Sequence, residues 1–367
     1  MPKQSDETPP ISLPELRLRI DAVDRQIQEL IGERAGYARQ VGVAKGPLKQ
    51  AIDYYRPERE AQVLRAVADR NAGPLSNEEL LRVFREIMSA CLAQQNPLKI
   101  AYLGPEGTFS QAAVQKHFGH SVITIPMASI EEVFVEVENS NADFGVVPVE
   151  NSTEGAVHHT FDMFLTTPLK ICGEIELRVH QNLMSRAVDM SQIERVYSHA
   201  QSLAQCRGWL RRHLPKAEKI AVSSNAEAAR RARNADDAAA IAGLSAAQVY
   251  GLKVLAPNIE DRPDNTTRFL VLGRELFPPS GHDKTSLLLA IKDQPGALYQ
   301  LLTPLFQHGI SMTRIESRPA RGAKWEYVFF IDVEGHIEGA PLQAALADLG
   351  PIAAQLKVLG AYPAAIV

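Results

Sequence analysis

The sequence is poor in the features that mark several large classes of protein. Its three cysteines, Cys91, Cys172 and Cys206, stand alone among 367 residues, with no Cys-x-x-Cys pair. This spacing gives no disulfide framework and favours a reducing compartment, so we expect a cytoplasmic protein. The histidines lie outside any cluster of carboxylates or thiolates, and we predict no metal site.

Long apolar runs, charge blocks and a dinucleotide fingerprint are missing too. Runs such as TSLLLAI are far too short to cross a bilayer, and residues 1–11 read as a polar, disordered leader. A net charge of −4 without a Lys/Arg block argues against a general nucleic-acid binder. The absence of Gly-x-Gly-x-x-Gly argues against a nicotinamide site. We therefore expect no cofactor, and neither membrane nor nucleic acid as a partner.

The first of three blocks of sequence, residues 12–96, predicts helices only. One helix starts at a Ser12 cap and runs to about Lys45. Pro57 suits the first turn of a second helix, and Ser76 opens a third with the Ser-x-x-Glu spacing of a capping box.

The rest of the chain has a different pattern of predicted secondary structure, with strands as well as helices. Residues 97–277 alternate short apolar strands with amphipathic helices, which favours an α/β domain with mostly parallel strands. Residues 285–363 follow the order strand, helix, strand, strand, helix, strand, which predicts a ferredoxin-like α+β sandwich. The fold class is therefore multidomain: all-α, then α/β, then α+β.

Cations interrupt the apolar stripe of the first helix. Apolar side chains recur every three or four residues at Leu13, Leu16, Ile20, Val23, Ile27 and Leu30. The next position in that register is Arg34, and Lys45 returns to nearly the same face. Such cations can lie at helix ends and reach water. If they are buried, they need anionic partners, and a bound dianion gripped by arginine forks would supply them.

The helical block resembles the all-helical, intertwined chorismate mutase family over nearly all of residues 12–95. The stretches that carry the resemblance are LRLRIDAVDRQIQELIGERAGYARQVGVAK, RPEREAQVL and FREIMSACLAQQ. It implies that chorismate is held in a compact conformer while charge on its ether oxygen is stabilised. The implied roles are carboxylate binding by Arg17, Arg34 and Arg59, ether-oxygen contact by Lys45 and Gln95, ring-hydroxyl contact by Glu60, and lining by Arg56 and Cys91.

Arg17 and Arg34 cannot reach one chorismate from the same helix. Their separation of seventeen residues corresponds to roughly 25 Å along the axis. If both bind one molecule, Arg17 comes from another chain. A helix of about 50 Å also needs a partner to cover its seam. We therefore expect an intertwined homodimer or a higher homo-oligomer.

Four segments of the α/β block combine apolar strands with polar residues at their ends. They are YLGPEGTFS (102–110), VVPVENSTEG (146–155), YSHAQ (197–201) and NTTRFLVL (265–272). The first adds a glycine turn and a helix start, which present N–H groups to an anion. Each segment alone is compatible with a capping turn, but strand ends that converge on a cleft are where ligands bind.

Together the four segments resemble the prephenate dehydratase family over about residues 100–280. The resemblance implies two α/β lobes hinged like a periplasmic binding protein, with the second lobe at about 177–257. It implies a catalytic Thr267 with Arg268 and Phe269 beside it. The implied cleft lining is Glu150, Asn151, Ser152, Thr153, Ser198 and Gln201. Ala200 stands where the family usually has proline.

The implied reaction removes the ring hydroxyl of prephenate together with carbon dioxide and yields phenylpyruvate. A threonine hydroxyl is a poor acid, so we expect Thr267 to orient the leaving group as a donor. Glu150 or a water would supply the proton. Arg268 would hold the side-chain carboxylate or support the strand end, and the residues leave both roles open.

The last block resembles an ACT regulatory domain of the dehydratase type over about 285–363. The segments DQPGALYQLL and RIESRP carry this resemblance. It implies that paired domains enclose L-phenylalanine, the end product, as an effector. The implied effector residues are Gly296, Ala297, Leu298, Glu316, Ser317 and Arg318.

The sequence thus predicts a bifunctional enzyme of phenylalanine biosynthesis that takes chorismate through prephenate to phenylpyruvate under feedback inhibition. A dehydrogenase-linked enzyme making the tyrosine precursor is one alternative. Another is a non-catalytic aromatic-metabolite sensor built from binding-protein lobes and an ACT domain. A gene-regulating sensor would carry a basic helix-turn-helix, which residues 12–95 lack.

Overall fold

The computed structural model describes residues 11–45, 54–292, 294–319 and 326–366, apart from the side chain of Glu326. The expected leader lies outside these ranges except for Ile11. The three blocks of sequence form a helical domain, a two-lobed α/β domain and a C-terminal α+β domain.

The helices of the N-terminal domain are α1 (Leu13–Ala44), α2 (Pro57–Asp69) and α3 (Asn77–Ala93). The predicted helix starts are confirmed. The Ser12 side chain accepts the Glu15 N–H, and Ser76 and Glu79 form a reciprocal capping box. Pro57 occupies the first turn of α2, where its missing N–H leaves no helical hydrogen bond unmade.

Helix α1 leaves its apolar stripe uncovered. In the described part of the chain, none of its 32 residues is buried. Leu13 is 62% exposed and Leu30 is 64% exposed. The helix reaches the rest of its domain through α3, and there the Gln95 amide donates to the Ala38 carbonyl at 2.9 Å. One chain thus presents an apolar face about 48 Å long.

The remaining elements alternate as predicted. The helices are α4 (Phe109–Phe118), α5 (Ile130–Glu138), α6 (His158–Phe164), α7 (Ala200–Gln205), α8 (Arg207–His213), α9 (Asn225–Ala232), α10 (Leu244–Tyr250), α11 (Ala297–Gln307) and α12 (Ala340–Leu349). The strands are β1 (Lys99–Leu103), β2 (Ile123–Met127), β3 (Phe144–Asn151), β4 (Gly155–Ala156), β5 (Lys170–Arg178), β6 (Asn182–Ser185), β7 (Arg195–His199), β8 (Glu218–Val222), β9 (Ala238–Ala242), β10 (Lys253–Ala256), β11 (Thr266–Gly273), β12 (Asp283–Lys292), β13 (Met312–Pro319), β14 (Glu326–Glu334) and β15 (Gln355–Pro363).

Two mixed sheets build the α/β domain. The first lobe has the order β2-β1-β3-β11-β5, with β4 beside β3, and the second has the order β10-β6-β9-β7-β8. The α/β character is confirmed, but the strands are not mostly parallel. Strand β11 runs antiparallel to both of its neighbours, and so does β6. The physical reason is that β5 leaves the first lobe and β11 re-enters it, so the chain returns in the opposite direction.

The lobes touch across the cleft through the loop that precedes α4. The Tyr250 hydroxyl donates to the Glu106 carbonyl at 3.2 Å, and the Ser245 hydroxyl donates to the Gly107 carbonyl at 3.4 Å. The chain crosses between the lobes at residues 179–181 and 257–265. At these crossings Glu260 binds both the His180 ring and the Gln181 N–H, which fastens the two strands of the hinge together.

The C-terminal sheet has the order β13-β14-β12-β15, and the predicted strand and helix order of this block is confirmed. It packs on one face of the first-lobe sheet, where Leu270 and Leu272 share a core with Leu288 and Phe330. Strand β15 lies so close to β5 that a Cβ on Gly360 would overlap the Ile171 backbone. The other face of the first-lobe sheet carries α4 and shares a core with Tyr54 and Tyr55 of the helical domain.

Candidate functional site

The ends of β3 and β11 form the polar centre of the first lobe. The two strands pair in antiparallel register with Thr267 opposite Asn151. The Asn151 amide donates to the Thr267 hydroxyl oxygen at 2.8 Å and to the Asn265 side-chain oxygen at 2.9 Å. Two predicted residues are thus joined directly, and both are half-buried at the mouth of a buried strand.

The loop after β3 folds back onto this centre. The Asn151 side-chain oxygen accepts the N–H groups of Thr153 and Glu154 at 3.0 and 3.2 Å. The hydroxyls of Ser152 and Thr153 each lie 3.4 Å from the Asn265 oxygen. The predicted residues Asn151, Ser152 and Thr153 therefore gather around Asn265.

Sequence reasoning missed Asn265. It is only 5% exposed, and its side chain contacts the last residue of β3 and the first two residues of the loop that follows. The available signal was its position two residues before Thr267 in NTTRFLVL. An asparagine there is typical of an ordinary turn, so its contacts with Asn151, Ser152 and Thr153 become visible only once β3 lies beside β11.

Glu150 and Arg268 lie on the opposite face of the sheet from Thr267. They are opposite each other in the register, one residue from the Asn151–Thr267 pair, and successive side chains of a strand alternate between faces. Glu150 pairs with Arg314 of the C-terminal domain at 3.0 Å. This placement argues against the expected role of Glu150 as proton donor in the cleft, because the sheet lies between it and Thr267.

Arg268 is held by carboxylates of the protein. Its guanidinium lies 2.9 Å from Glu174 on β5 and 2.8 Å from Asp332 on β14, and Lys284 on β12 binds the other oxygen of Glu174 at 2.6 Å. Burial raises the pKa of Glu174, but Arg268 and Lys284 outweigh it, and the net pKa lies below 4.5. Of the two roles expected for Arg268, this geometry favours support of the strand over substrate binding.

Two other predicted cleft residues are buried in cores. Phe269 is 1% exposed and packs among the apolar residues between the sheet and α4. Ser198 is fully buried, and its hydroxyl lies 2.9 Å from the Asn225 side-chain oxygen and 2.8 Å from the Ile241 carbonyl. Neither placement fits contact with substrate. Gln201 is half-buried at the start of α7, at the polar end of β7.

The two glycine N–H groups of the turn before α4 already have acceptors. The Gly104 N–H donates to the Met127 carbonyl at 2.9 Å, and the Gly107 N–H donates to the Gln111 side chain at 2.6 Å. Thr108 caps the helix through the Gln111 N–H. An anion would find these donors already used.

In the helical domain, Gln95 lies against the half of α1 that carries Arg34. Besides its bond to Ala38, its side chain lies against Gly42, where a Cβ would be 3.0 Å from it. Lys45, just beyond α1, and Arg56 both lie near Glu58. Burial raises the pKa of Glu58, and these two cations lower it only in part.

Glu60 points toward the seam between the helical domain and the α/β domain. Its carboxylate lies 4.0 Å from Arg85, and burial raises its pKa to about 7 against the opposing effect of that cation. It lines a cavity of about 1220 Å³ that also reaches Tyr55, His117 and Glu176. Cys91 is buried in α3, Arg34 is half-buried, and Arg17 and Arg59 are exposed in a single chain.

The predicted effector residues lie at one end of the C-terminal sheet. Gly296 and Leu298 are exposed at the start of α11, and Ala297 is partly buried there. On β13, Ser317 is exposed, whereas Glu316 lies near Arg314, and Arg318 binds Asp162 at 3.1 Å and the His158 carbonyl. Strand β14 separates β12 from β13, so the two segments are roughly 10 Å apart within one chain.

Some general properties of the described residues bear on function. None of their helices is long and apolar enough to cross a membrane. No group of three or more His, Cys, Asp or Glu side chains among them could hold a metal ion. The three cysteines are free and buried.

Three family models match the chain in consecutive segments. The model for chorismate mutase type II matches residues 16–96, the model for prephenate dehydratase matches 100–276, and the model for the ACT domain matches 285–351.

Named relatives and solved structures agree with these matches. A bifunctional chorismate mutase/prephenate dehydratase of Stutzerimonas stutzeri is 56% identical over 96% of this chain and 97% of its own. A prephenate dehydratase from Arthrobacter aurescens, solved in complex with L-Phe, is 36% identical with a TM-score of 0.67, over 72% of this chain and 90% of its own. A structure described as a quorum-quenching acylase, GqqA, is 32% identical with a TM-score of 0.68, over 73% of this chain and 98% of its own.

Proposed function

This chain belongs to the bifunctional chorismate mutase/prephenate dehydratase family, and from that premise we propose how its domains divide the work. The chain rearranges chorismate to prephenate, converts prephenate to phenylpyruvate and is inhibited by L-phenylalanine. The helical domain performs the first step, the two-lobed domain the second, and the ACT domain binds the effector.

The mutase step needs charge complementarity and no acid–base residue. Arg34 and Arg59, with Arg17 of a second copy, hold the two carboxylates of chorismate, and Glu60 binds the ring hydroxyl. Lys45 donates to the ether oxygen, where negative charge grows as the bond breaks. Arg56 and Cys91 line the site.

Gln95 performs the same task, and its hydrogen bond to Ala38 supports this assignment. The Ala38 carbonyl can only accept, so the NH₂ group of Gln95 faces α1. One of its two N–H bonds serves Ala38, and the other is available to the ether oxygen. An amide donates at any pH, so this contact does not depend on protonation.

The dehydratase step takes place at the ends of β3 and β11. The observation that carries this assignment is the 2.8 Å hydrogen bond between Asn151 and Thr267. Thr267 donates to the departing hydroxyl, Ser152, Thr153 and Gln201 contribute to the cleft, and carbon dioxide leaves from the ring. Water supplies the proton, because Glu150 lies across the sheet and pairs with Arg314.

Phenylalanine binds where ACT domains of two chains meet. Residues 296–298 of one chain and 316–318 of its partner enclose the ligand. The exposure of Gly296, Leu298 and Ser317 supports this arrangement. So does the strand that separates the two segments within a chain.

The chain forms a homodimer or a higher homo-oligomer. The exposed stripe of α1 supports a second copy as its cover, since that face is too long and too apolar to remain in water. The separation of Arg17 from Arg34 supports the same arrangement. The three unpaired, buried thiols favour a cytoplasmic location.

A coupled assay tests both activities. Purified protein given chorismate and no cofactor should release phenylpyruvate, and added phenylalanine should reduce the rate of the second step. If prephenate accumulates, only the mutase assignment survives. A protein that binds these compounds without turning them over would be the metabolite sensor.

A mixing experiment tests the shared mutase site. Arg17→Ala and Arg34→Ala proteins should each be inactive as mutases. Half of randomly mixed dimers pair one copy of each, with one intact site in two, so about a quarter of the wild-type rate should return. Mixing without recovery would mean that each site is built within one chain.

A further inference from the structure

We propose that Asn265 is a positioning residue of the dehydratase, which acts through Asn151 to aim the hydroxyl proton of Thr267 into the cleft. The inference rests on the proposed role of Thr267. Its basis is a chain of hydrogen bonds in which the direction of each donor is fixed by the one before it.

The chain starts at the backbone of the β3–β4 loop. The N–H groups of Thr153 and Glu154 both point at one side-chain atom of Asn151. A backbone N–H can only donate, so that atom is the amide oxygen. The NH₂ group of Asn151 therefore faces the other way, toward Thr267 and Asn265.

The next step fixes the hydroxyl of Thr267. A hydroxyl has one proton and two lone pairs. The Asn151 amide donates to its oxygen at 2.8 Å, so the proton cannot point back at Asn151. Among the described residues the Thr267 side chain makes no second hydrogen bond, and its proton is free for a ligand. An oxygen that accepts a hydrogen bond is also polarised into a better donor.

Asn265 holds the side-chain amide of Asn151, which sets the direction of the Thr267 hydroxyl proton. Its oxygen accepts the second N–H of Asn151 at 2.9 Å, and it is 5% exposed, so water cannot easily take its place. The hydroxyls of Ser152 and Thr153 point to the same oxygen at 3.4 Å. Without this acceptor, the NH₂ group of Asn151 keeps only its bond to Thr267, and the two loop N–H groups alone hold the other end of the amide, so the group can shift relative to Thr267.

The test compares three substitutions by the kcat and KM of the dehydratase. Asn265→Ala removes the acceptor, and kcat should fall on the order of tenfold to a hundredfold, as expected when a reacting group is misplaced by a fraction of an ångström to 1 Å. Asn265→Asp keeps an acceptor oxygen at the same position. Its kcat should stay within about threefold of wild type, while KM rises because a new negative charge meets the dianionic substrate. Asn265→Leu fills the volume without accepting and replaces the Ala variant if that protein fails to fold.

Asn182 offers a matched control. It is also 5% exposed and uses its side chain to bind the Ala242 carbonyl and the Asn258 N–H, away from Thr267. Asn182→Ala should lower the thermal stability of the second lobe and leave the dehydratase kcat within about twofold. Thermal unfolding of the dehydratase domain reports whether each variant has folded, and the mutase rate serves as an internal measure of the amount of protein.

The outcomes distinguish a failure of the positioning role of Asn265 from a failure of the proposed catalytic role of Thr267. Full dehydratase activity in Thr267→Ala would overturn the proposed function. If that variant is inactive, the positioning role fails in any of three cases: Asn265→Ala matches wild type, Asn265→Asp loses as much kcat as Asn265→Ala, or Asn182→Ala loses as much as either. A retained kcat in the Asp variant, with a raised KM, supports the role of the acceptor oxygen.

Discussion

The two faces of strand β11 carry different kinds of side-chain network, although the residues concerned are neighbours in the chain. On one face, Thr267 belongs to a neutral network of amides and hydroxyls at the cleft. On the other, Arg268 belongs to an ionic network with Glu174, Asp332 and Lys284, between the first lobe and the ACT domain. The face that carries the candidate site and the face that contacts the ACT domain therefore lie back to back on one strand.

The T-R-F motif is a single unit in sequence similarity, but in the structure its Thr267 and Arg268 lie on opposite faces of the sheet. Adjacent residues of a strand point to opposite faces, so one motif can serve two purposes. A shift of β11 relative to the ACT sheet would also move Thr267. We therefore expect substitutions on the Thr267 face to reduce the dehydratase rate. Substitutions on the Arg268 face should instead reduce the stability of the fold.

The largest effect is expected from the neutral face. Thr267→Val removes the hydroxyl at nearly constant volume, and the dehydratase kcat should fall by about 10²–10³-fold, the usual cost of removing one positioned hydrogen-bond donor. Thermal unfolding should change little, because no buried charge is exposed. Stopped assays of prephenate turnover and calorimetry measure the two quantities.

Thr267→Ser is the matched control for that experiment. It keeps the hydroxyl and should retain much of the activity. A large drop in melting temperature for Thr267→Val would show that the two faces are less distinct than their contacts indicate.

The second effect concerns the ionic face. Glu174→Ala leaves Lys284 without this partner and Arg268 with one carboxylate fewer, and should destabilise the dehydratase–ACT unit by about 3–5 kcal/mol, as for other broken buried pairs. The measurement is denaturant unfolding followed separately from the helical domain. The mutase rate should be spared. Unchanged stability would contradict the importance of this network.

The third effect is a pH dependence of the stability that the ionic network on the Arg268 face contributes. The folded-state pKa of Glu174 is lowered below 4.5, because its cationic partners outweigh burial. Its contribution to stability is therefore complete above pH 4.5 and is lost as the pH falls through the lower folded-state pKa. Thermal melts from neutral to acidic pH should show this loss in wild type and less of it in Glu174→Gln.

The smallest effect is expected from the Glu150–Arg314 pair. Glu150 is 40% exposed in its side chain, so the pair should contribute only about 0.2–1 kcal/mol. A double-mutant cycle with Glu150→Gln and Arg314→Met measures this coupling. Glu150→Gln should also keep most of the dehydratase kcat. A loss of about a hundredfold would instead make Glu150 a proton donor and bring the two faces together functionally.

Helix α1 extends the comparison to a third region. Its stripe from Leu13 to Leu30 has the same periodicity as a buried helix, yet no residue of it is buried within the described part of one chain. Periodicity reports that a face must be covered and does not say by which chain. The spacing of Arg17 and Arg34 is the separate reason for which we propose a second copy of the chain.

The sequence by itself determined the division into three blocks, the helix starts at Ser12, Pro57 and Ser76, and the strand and helix order of the C-terminal domain. These depend on local chemistry: caps, periodicity and turns act over a few residues. The T-R-F and Glu-Asn-Ser-Thr segments likewise identified the strand ends where the candidate site lies.

Only the tertiary structure decided which side of the sheet each side chain serves. Glu150, Ser198 and Arg268 are polar residues in the right segments, but their neighbours come from distant strands and turn them away from the cleft. Asn265 shows the converse, since an unremarkable turn residue becomes central when β3 and β11 pair. Contacts between residues more than a hundred positions apart are set by sheet register, and no local pattern encodes that register.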